Sequence, residues 1–279
     1  MKHDPRTDPE VPPGMSIALL QDLHLLTRDG HLNADARRKL KQIRHLVGLL
    51  RPAVDDALAR AAAPVIVDCG AGKSYLGALL YELVLGPAGR GQLVAIEARP
   101  ELTAQAAARA ARFGHARFAV AAGAIAEVAL DARPSVVTAL HACDTATDDA
   151  IAFGLQKHAQ AMVLVPCCQA EVARTLNAGK ALTLARTPLA ELWRHPLHTR
   201  EMGSQITNVL RCLYLEACGY QVTVTELVGW EHSLKNELII ARYTGQKKRS
   251  AAERLRAILA QFGIESLLQT RFRLPDSPG

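Results

Sequence analysis

From Pro64 onward the chain alternates short apolar runs with helical stretches, and this rhythm constrains the fold more than any other feature. PVIVD leads into a helical pattern from Leu76 to Leu85, and QLVAIE into the alanine-rich stretch 101–113. ARFAVA follows, then SVVTALHA with a helical stretch over 147–158, then AMVLVPCC. Strands that return repeatedly through helices lie parallel, so the pattern predicts βαβ units and a parallel sheet covered on both faces. After a long helix ending at Gly219, a residue type suited to a left-handed helix stop, YQVTVTELV and NELIIARYT read as two strands. Separated by the short segment 229–235, they are expected to pair like a hairpin at the sheet edge. The expected fold is α/β, a seven-stranded, mostly parallel sheet with an antiparallel edge strand.

The rest of the chain is arranged around this domain, expected over 63–245. Residues 1–14 hold charge and proline where a secretory signal needs an apolar segment, and are expected to be a flexible tail. Over 15–62, aliphatic residues at helical spacing (Leu40, Ile43, Val47, Leu50) predict a helical extension, interrupted at Asp29-Gly30 and at Arg51-Pro52. Its stretch ARRKLKQIRH can meet phosphates or serve as a solvated face. A basic, helix-forming tail occupies 246–279. No apolar run reaches the ~18 residues a membrane helix needs. The six cysteines, two of them adjacent, do not form the spaced framework of a small secreted domain. A soluble, cytoplasmic protein with reduced thiols is expected. Cys69, Cys212 and Cys218 are read as core residues. The net charge of +6 permits an acidic partner such as RNA without demanding one.

Within the first βα unit, VIVDCGAGKSYLG is a strand running into a glycine loop and a helix. A triphosphate-binding loop needs glycine where Val67 stands, and Asp68 would repel phosphate. A dinucleotide fingerprint needs its third glycine at Tyr75. An acid two residues before the first glycine suits a cationic ligand instead, and S-adenosylmethionine carries an ammonium and a sulfonium with no phosphate. Asp68 can accept from its amino group, while Gly70 and Gly72 let the backbone approach. Glu97, ending the second strand, is placed to accept both ribose hydroxyls. The third strand ends in AVAAGAI, which offers no acid for the adenine amino group.

Ligands in such sheets bind outside the carboxyl ends of the strands. HACD at the end of strand four and PCCQ at the end of strand five should therefore sit side by side, facing the methyl donor. DCGAGKSYLG, ALHACDTATDDAI, VPCCQ and SLKNELIIA together resemble a methyltransferase family that includes the methyltransferase domain of the glutathione S-transferase C-terminal domain-containing protein. They are more distantly similar to tRNA acceptor-stem 2′-O-methyltransferases. The resemblance spans about 36–244 and implies a Rossmann-like class I fold with Asp68, Gly70, Gly72 and Glu97 at the donor-binding positions. It leaves the substrate open. Asp144 stands where relatives often have glycine, and Gln169 where an aromatic residue or histidine often follows the cysteine pair.

Three roles compete for the cluster. His141, with an unperturbed pKa of ~6.5, can be the general base that deprotonates a ribose hydroxyl or other nucleophile, assisted by Lys235 or Asp144. Cys167 or Cys168 can attack a pyrimidine carbon covalently, or Cys168 can simply shape the substrate pocket. His141, Cys143 and the cysteine pair match zinc ligand types, but adjacent cysteines are a poor ligand pair, so no metal is expected. Asp144 also reads as an N-terminal acid for helix 147–158, alongside Thr145 and Thr147. Lys235 and Asn236, in the loop before the last strand, are candidate contacts to a substrate phosphate or hydroxyl. RNA, tRNA or rRNA, is the first expected acceptor. The chain holds only five Phe, five Tyr and two Trp, few platforms for stacking bases of single-stranded RNA. A protein or small-molecule methyltransferase, or a non-catalytic donor-binding module, are the rival readings.

Overall fold

A computed structural model describes residues 4–139, 142, 144–166, 170–179, 188–226 and 237–274. Seven strands form one sheet in the order β3-β2-β1-β4-β5-β7-β6. They are β1 (Val65–Cys69), β2 (Gln92–Glu97), β3 (Phe118–Ala122), β4 (Val136–Ala139), β5 (Ala161–Leu164), β6 (Tyr220–Glu226) and β7 (Glu237–Tyr243). β1 to β5 pair in parallel, and β7 runs against both β5 and β6. The expected α/β sheet, with its antiparallel strand in the edge pair, is what forms. The order reverses between β1 and β4, the switch point where such sheets bind ligands.

Every residue of β1 is buried, because both faces are covered. Alternate side chains divide between two cores. Ile66 joins Leu93, Val136 and Val163 beneath α2 (Ala34–Arg60) and α3 (Tyr75–Leu80). Val65 and Val67 join Ile96, Val137 and Met162 beneath α6 (Ala146–Gln156), α8 (Pro196–Ala217) and α9 (Arg249–Phe262). The remaining helices are α1 (Ile17–Asp22), α4 (Gly86–Ala88), α5 (Pro100–Arg112), α7 (Glu171–Gly179) and α10 (Leu267–Thr270). A π-helical turn, Tyr81–Leu85, links α3 to α4. No described helix is long and apolar enough to cross a membrane.

Two expectations for the N-terminal region are corrected. Pro52 does not interrupt the helix; α2 runs unbroken for 27 residues. A mid-helix proline costs ~3 kcal/mol. Pro52 is exposed, however, and Leu40, Ile43, Val47, Leu50, Val54 and Leu58 continue in phase past it into the core. Burial of that face outweighs the lost bond. Residues 4–14 are not a free tail: Val11 is buried, Asp8 pairs with Arg37 at 2.8 Å, and the Glu10 carbonyl accepts from Arg44 at 2.9 Å. The turn at Asp29-Gly30 forms as expected, with Gly30 N–H donating to the Thr27 carbonyl.

In the C-terminal region, Ala251, Leu255 and Leu259 of α9 are fully buried in the second core. Its flanking cations meet acids: Lys248 lies 2.6 Å from Glu216, and Arg249 3.0 Å from Glu253.

Candidate active site

The residues expected to hold the donor lie at the carboxyl ends of β1 and β2. Asp68 is 2% exposed, and among the described residues nothing hydrogen-bonds its carboxylate. Burial, with a smaller contribution from the Glu97 charge, pushes its pKa up to about 7. Thr138, its register partner on β4, is also buried, with a hydroxyl that has no partner among the described residues. A buried carboxylate lacking a counter-charge fits a ligand that brings a cation, as the ammonium of S-adenosylmethionine does.

Gly70 and Gly72 both take positive φ, +66° and +58°, which lets the loop turn sharply beneath β1. A Cβ at Gly70 would stand 3.4 Å from the main chain of Ala142, three residues past the end of β4. Gly70→Ala is therefore expected to lower stability by about 1–2 kcal/mol through the left-handed backbone alone, measured by urea denaturation. Donor affinity should fall with it.

Glu97 is 6% exposed and accepts from Gly72 N–H at 2.7 Å, Arg99 N–H at 3.0 Å and the Arg99 guanidinium at 2.8 Å. Burial alone would raise its pKa, but the Arg99 side chain, with the Arg99 and Gly72 amides, holds it below the usual carboxylate range. The acid expected to meet the ribose hydroxyls is thus ionised, and Arg99, largely exposed, is free to move aside. After β3, Gly123 N–H donates to the Glu97 carbonyl at 3.0 Å.

The acceptor side is framed by β4 and β5, whose ends pair Ala139 with Leu164, and Val165 N–H donates to the Ala139 carbonyl. His141, Cys143, Cys167, Cys168, Gln169, Lys235 and Asn236 lie outside the described residues. Asp144 is described. Its carboxylate accepts from Ala170 N–H at 3.0 Å and from Arg174 at 3.3 Å, at the start of α7 rather than α6. It joins the segment after β4 to the segment after β5, and Thr145 caps α6 without a side-chain bond. Thr147 instead donates to the Ala142 carbonyl at 2.5 Å.

Beneath this region lies a network the sequence reading missed. Arg211 of α8, 0% exposed, donates to both oxygens of Asp148 at 2.8 and 2.7 Å, to Asn208 Oδ1 at 3.1 Å and to the Asp144 carbonyl at 3.1 Å. Asn208 in turn donates to Glu237, the first residue after Lys235-Asn236, at 2.7 Å. Arg271 from the C-terminal tail meets Glu171 at 2.9 Å and Asp149 at 3.5 Å, bridging the first turns of α7 and α6. The available signal was a charged residue in the apolar phase of α8, between Leu210 and Leu213.

Among the described residues no group of His, Cys, Asp and Glu is placed to hold a metal. Cys69 is buried, while Cys212 and Cys218 are only half-buried. Burial raises all three thiols, Cys218 to about 11 and Cys212 to about 12, so they are packing groups rather than nucleophiles. The basic face of α2 is largely neutralised: Arg37 meets Asp8, Arg38 meets Asp35 and Arg44 meets Glu10. Lys39 instead sits over the Tyr75 ring at 4.2 Å, beside the glycine loop.

Residues 38–175 match the family model described as a methyltransferase domain. No curated protein matches the sequence. Solved structures with similar folds include magnesium protoporphyrin IX methyltransferase from Synechocystis PCC 6803 with bound SAH, at 10% identity and a TM-score of 0.48, covering 81% of this chain and 94% of that one. Another is the N-methyltransferase NodS from Bradyrhizobium japonicum WM9, at 14% identity and a TM-score of 0.42, covering 73% and 96%. A third is an rRNA methylase from Streptococcus thermophilus, at 8% identity and a TM-score of 0.38, covering 65% and 87%. Their named acceptors differ, and at these identities none is carried over to this chain.

Proposed function

We propose that this chain is an S-adenosylmethionine-dependent methyltransferase that acts on RNA, tRNA or rRNA, residues 38–175 matching the methyltransferase-domain model. The observation that supports an RNA acceptor is the placement of cations beside the donor loop. Lys39 lies on Tyr75, Lys73 stands within the loop, and neither has a carboxylate partner among the described residues. The arginines of α2 and the cations flanking α9 are mostly matched by acids.

In this reading Asp68 takes the donor's ammonium, Gly70 and Gly72 line its path, and Glu97 takes the ribose hydroxyls. Bound there, S-adenosylmethionine supplies an electrophilic methyl group. His141 removes the proton from the attacking hydroxyl. Lys235 and Asn236 contact the substrate, and Cys167 and Cys168 border its pocket, with Cys167 the candidate nucleophile if the acceptor is a pyrimidine carbon. Asp144 acts through the two segments it joins rather than on the hydroxyl. The chain is read as cytoplasmic.

The test uses methyl-labelled S-adenosylmethionine and lysate from cells lacking the gene, with RNase or protease digestion of the product. Label should be lost to RNase. Activity should fall as salt rises, and Lys39→Ala or Lys73→Ala should each reduce the salt slope by about 0.7–0.9. Label lost only to protease would replace RNA with a protein acceptor. Donor binding without any transfer would leave a binding module.

A further inference from the structure

The glycine loop is held by a group that does not belong to the donor pocket. Gly70, Gly72 and Ser74 all take positive φ, and Ser74, at +54°, is a buried non-glycine residue whose hydroxyl has no partner. Backbone of this kind persists only where its surroundings over-determine it. Glu97 provides one tie, through Gly72 N–H at 2.7 Å. A ribose diol bonding the same carboxylate competes for exactly that tie. The second is Arg109 of α5, which donates to the Lys73 carbonyl at 3.0 Å.

Arg109 is itself fixed from the N-terminal region. Its Nε lies 2.6 Å from Asp22, the last residue of α1, and the two side chains are only 11% and 19% exposed. Arg112 meets the other Asp22 oxygen. α1 is seated by Leu19 and Leu20, both fully buried, and by Ser16 N–H, which donates to Glu82 at 2.8 Å. A carboxylate holding both arginines of one helix face, with one of them reaching a donor-loop carbonyl, is more than a surface pair.

We propose that α1 is a working part of the donor site: Asp22 holds Arg109 against the Lys73 carbonyl, so docking of α1 and occupancy by S-adenosylmethionine are coupled. Arg109 is a positioning residue, since it acts through the loop. The proposal rests on the donor pocket lying at Asp68 and Glu97. When the donor takes Glu97 away from Gly72, Arg109 remains as a side-chain tie on the loop, beside the main-chain bonds from Ala71 N–H to Ile96 and from Ser74 N–H to Ala71. Without Asp22, the guanidinium loses its counter-charge, the loop loses its post, and donor binding must order it. Coupling between binding events is reciprocal, so the donor must stabilise α1 by the factor with which α1 stabilises the donor, about tenfold for a typical coupling.

The experiment measures donor Kd by calorimetry and hydrogen exchange of residues 17–26, in the full chain and in the Asp22→Asn, Arg109→Gln and Arg109→Lys variants. In the unaltered protein the donor should slow exchange across α1 about tenfold. Asp22→Asn should raise donor Kd by a similar factor and abolish that protection, leaving the acceptor KM unchanged. Arg109→Lys, able to reach one partner but not both, should recover part of the loss that Arg109→Gln shows. Unchanged exchange on donor binding in the unaltered protein overturns the proposal, even if a variant fails to fold. Asp22→Asn and Arg109→Gln variants that keep the parental Tm and donor Kd overturn it too. An Asp68→Asn protein that binds donor as tightly as the parent sinks the pocket assignment, and this proposal with it.

Discussion

Asp68→Asn is expected to weaken S-adenosylmethionine binding by about 10- to 100-fold, the value of one charge-assisted hydrogen bond, while making the donor-free protein more stable. The two effects share one cause. Asp68 is buried with no hydrogen-bond partner among the described residues, and burial first, then the Glu97 charge, brings its pKa up to about 7. An unfolded aspartate ionises near ~3.9. Folding is therefore unaffected by this group in strong acid and loses stability as pH rises from the unfolded pKa to about 7, above which the loss is constant. At about 1.4 kcal/mol per pH unit, the asparagine variant should gain on the order of 4 kcal/mol at pH 8 and nothing below pH ~4. Donor affinity in the parent should rise about tenfold per pH unit up to the same pKa, because the carboxyl must release its proton to meet an ammonium. It should fall again as the donor's amino group titrates, near ~8. Calorimetry from pH 5 to 9 measures the affinity, and thermal denaturation the stability. A flat affinity profile below pH 7, or an asparagine variant with undiminished affinity, would refute the assignment of Asp68 to the ammonium.

Much of this was readable from residue order, and the division is physical. Strand–helix alternation depends on neighbours in sequence, so β1 to β5 and the turn at Gly70 follow from local pattern. The acids at Asp68 and Glu97 are legible for the same reason, since each ends an apolar run whose direction is known. What local pattern cannot give is a partner far along the chain. Asp144 was assigned to the helix three residues ahead, yet it bonds Ala170, 26 residues on. Arg211 could not be matched with Asp148, 63 residues earlier, because either residue alone reads as a surface charge. Pro52 misled in the opposite way: its local preference is real, but buried aliphatic contacts on both sides of it overrule that preference. Residues 4–14 are held to the rest of the chain through Arg37, Arg44 and the core that receives Val11.

Arg211 gives the second large expectation. Arg211→Met leaves the Asp148 carboxylate buried without its counter-charge, and breaking such a pair costs about 3–5 kcal/mol. In a protein of this size, Tm should fall by roughly 10 °C. Replacing both partners, Arg211→Met with Asp148→Leu, should restore most of that loss, since an apolar pair of similar volume avoids the desolvation of two charges. Catalysis should not return with it. Arg211 also holds the Asp144 carbonyl and, through Asn208, reaches Glu237. It thus anchors the flanks of the segments that carry His141 and Lys235-Asn236. A displacement of about 1 Å in catalytic geometry can lower turnover about 100-fold, so the double variant should be stable with a strongly reduced kcat. Its donor Kd should be unchanged, because the printed bonds of Glu97 run to Gly72 and Arg99, and those of Arg211 to Asp148, Asn208 and Asp144, with no residue shared among the described residues. A stable double variant with full kcat would show that the network serves folding alone. Loss of donor binding alongside kcat would show instead that the donor and acceptor sides are not mechanically separate, and that Arg211 supports the whole carboxyl edge of the sheet.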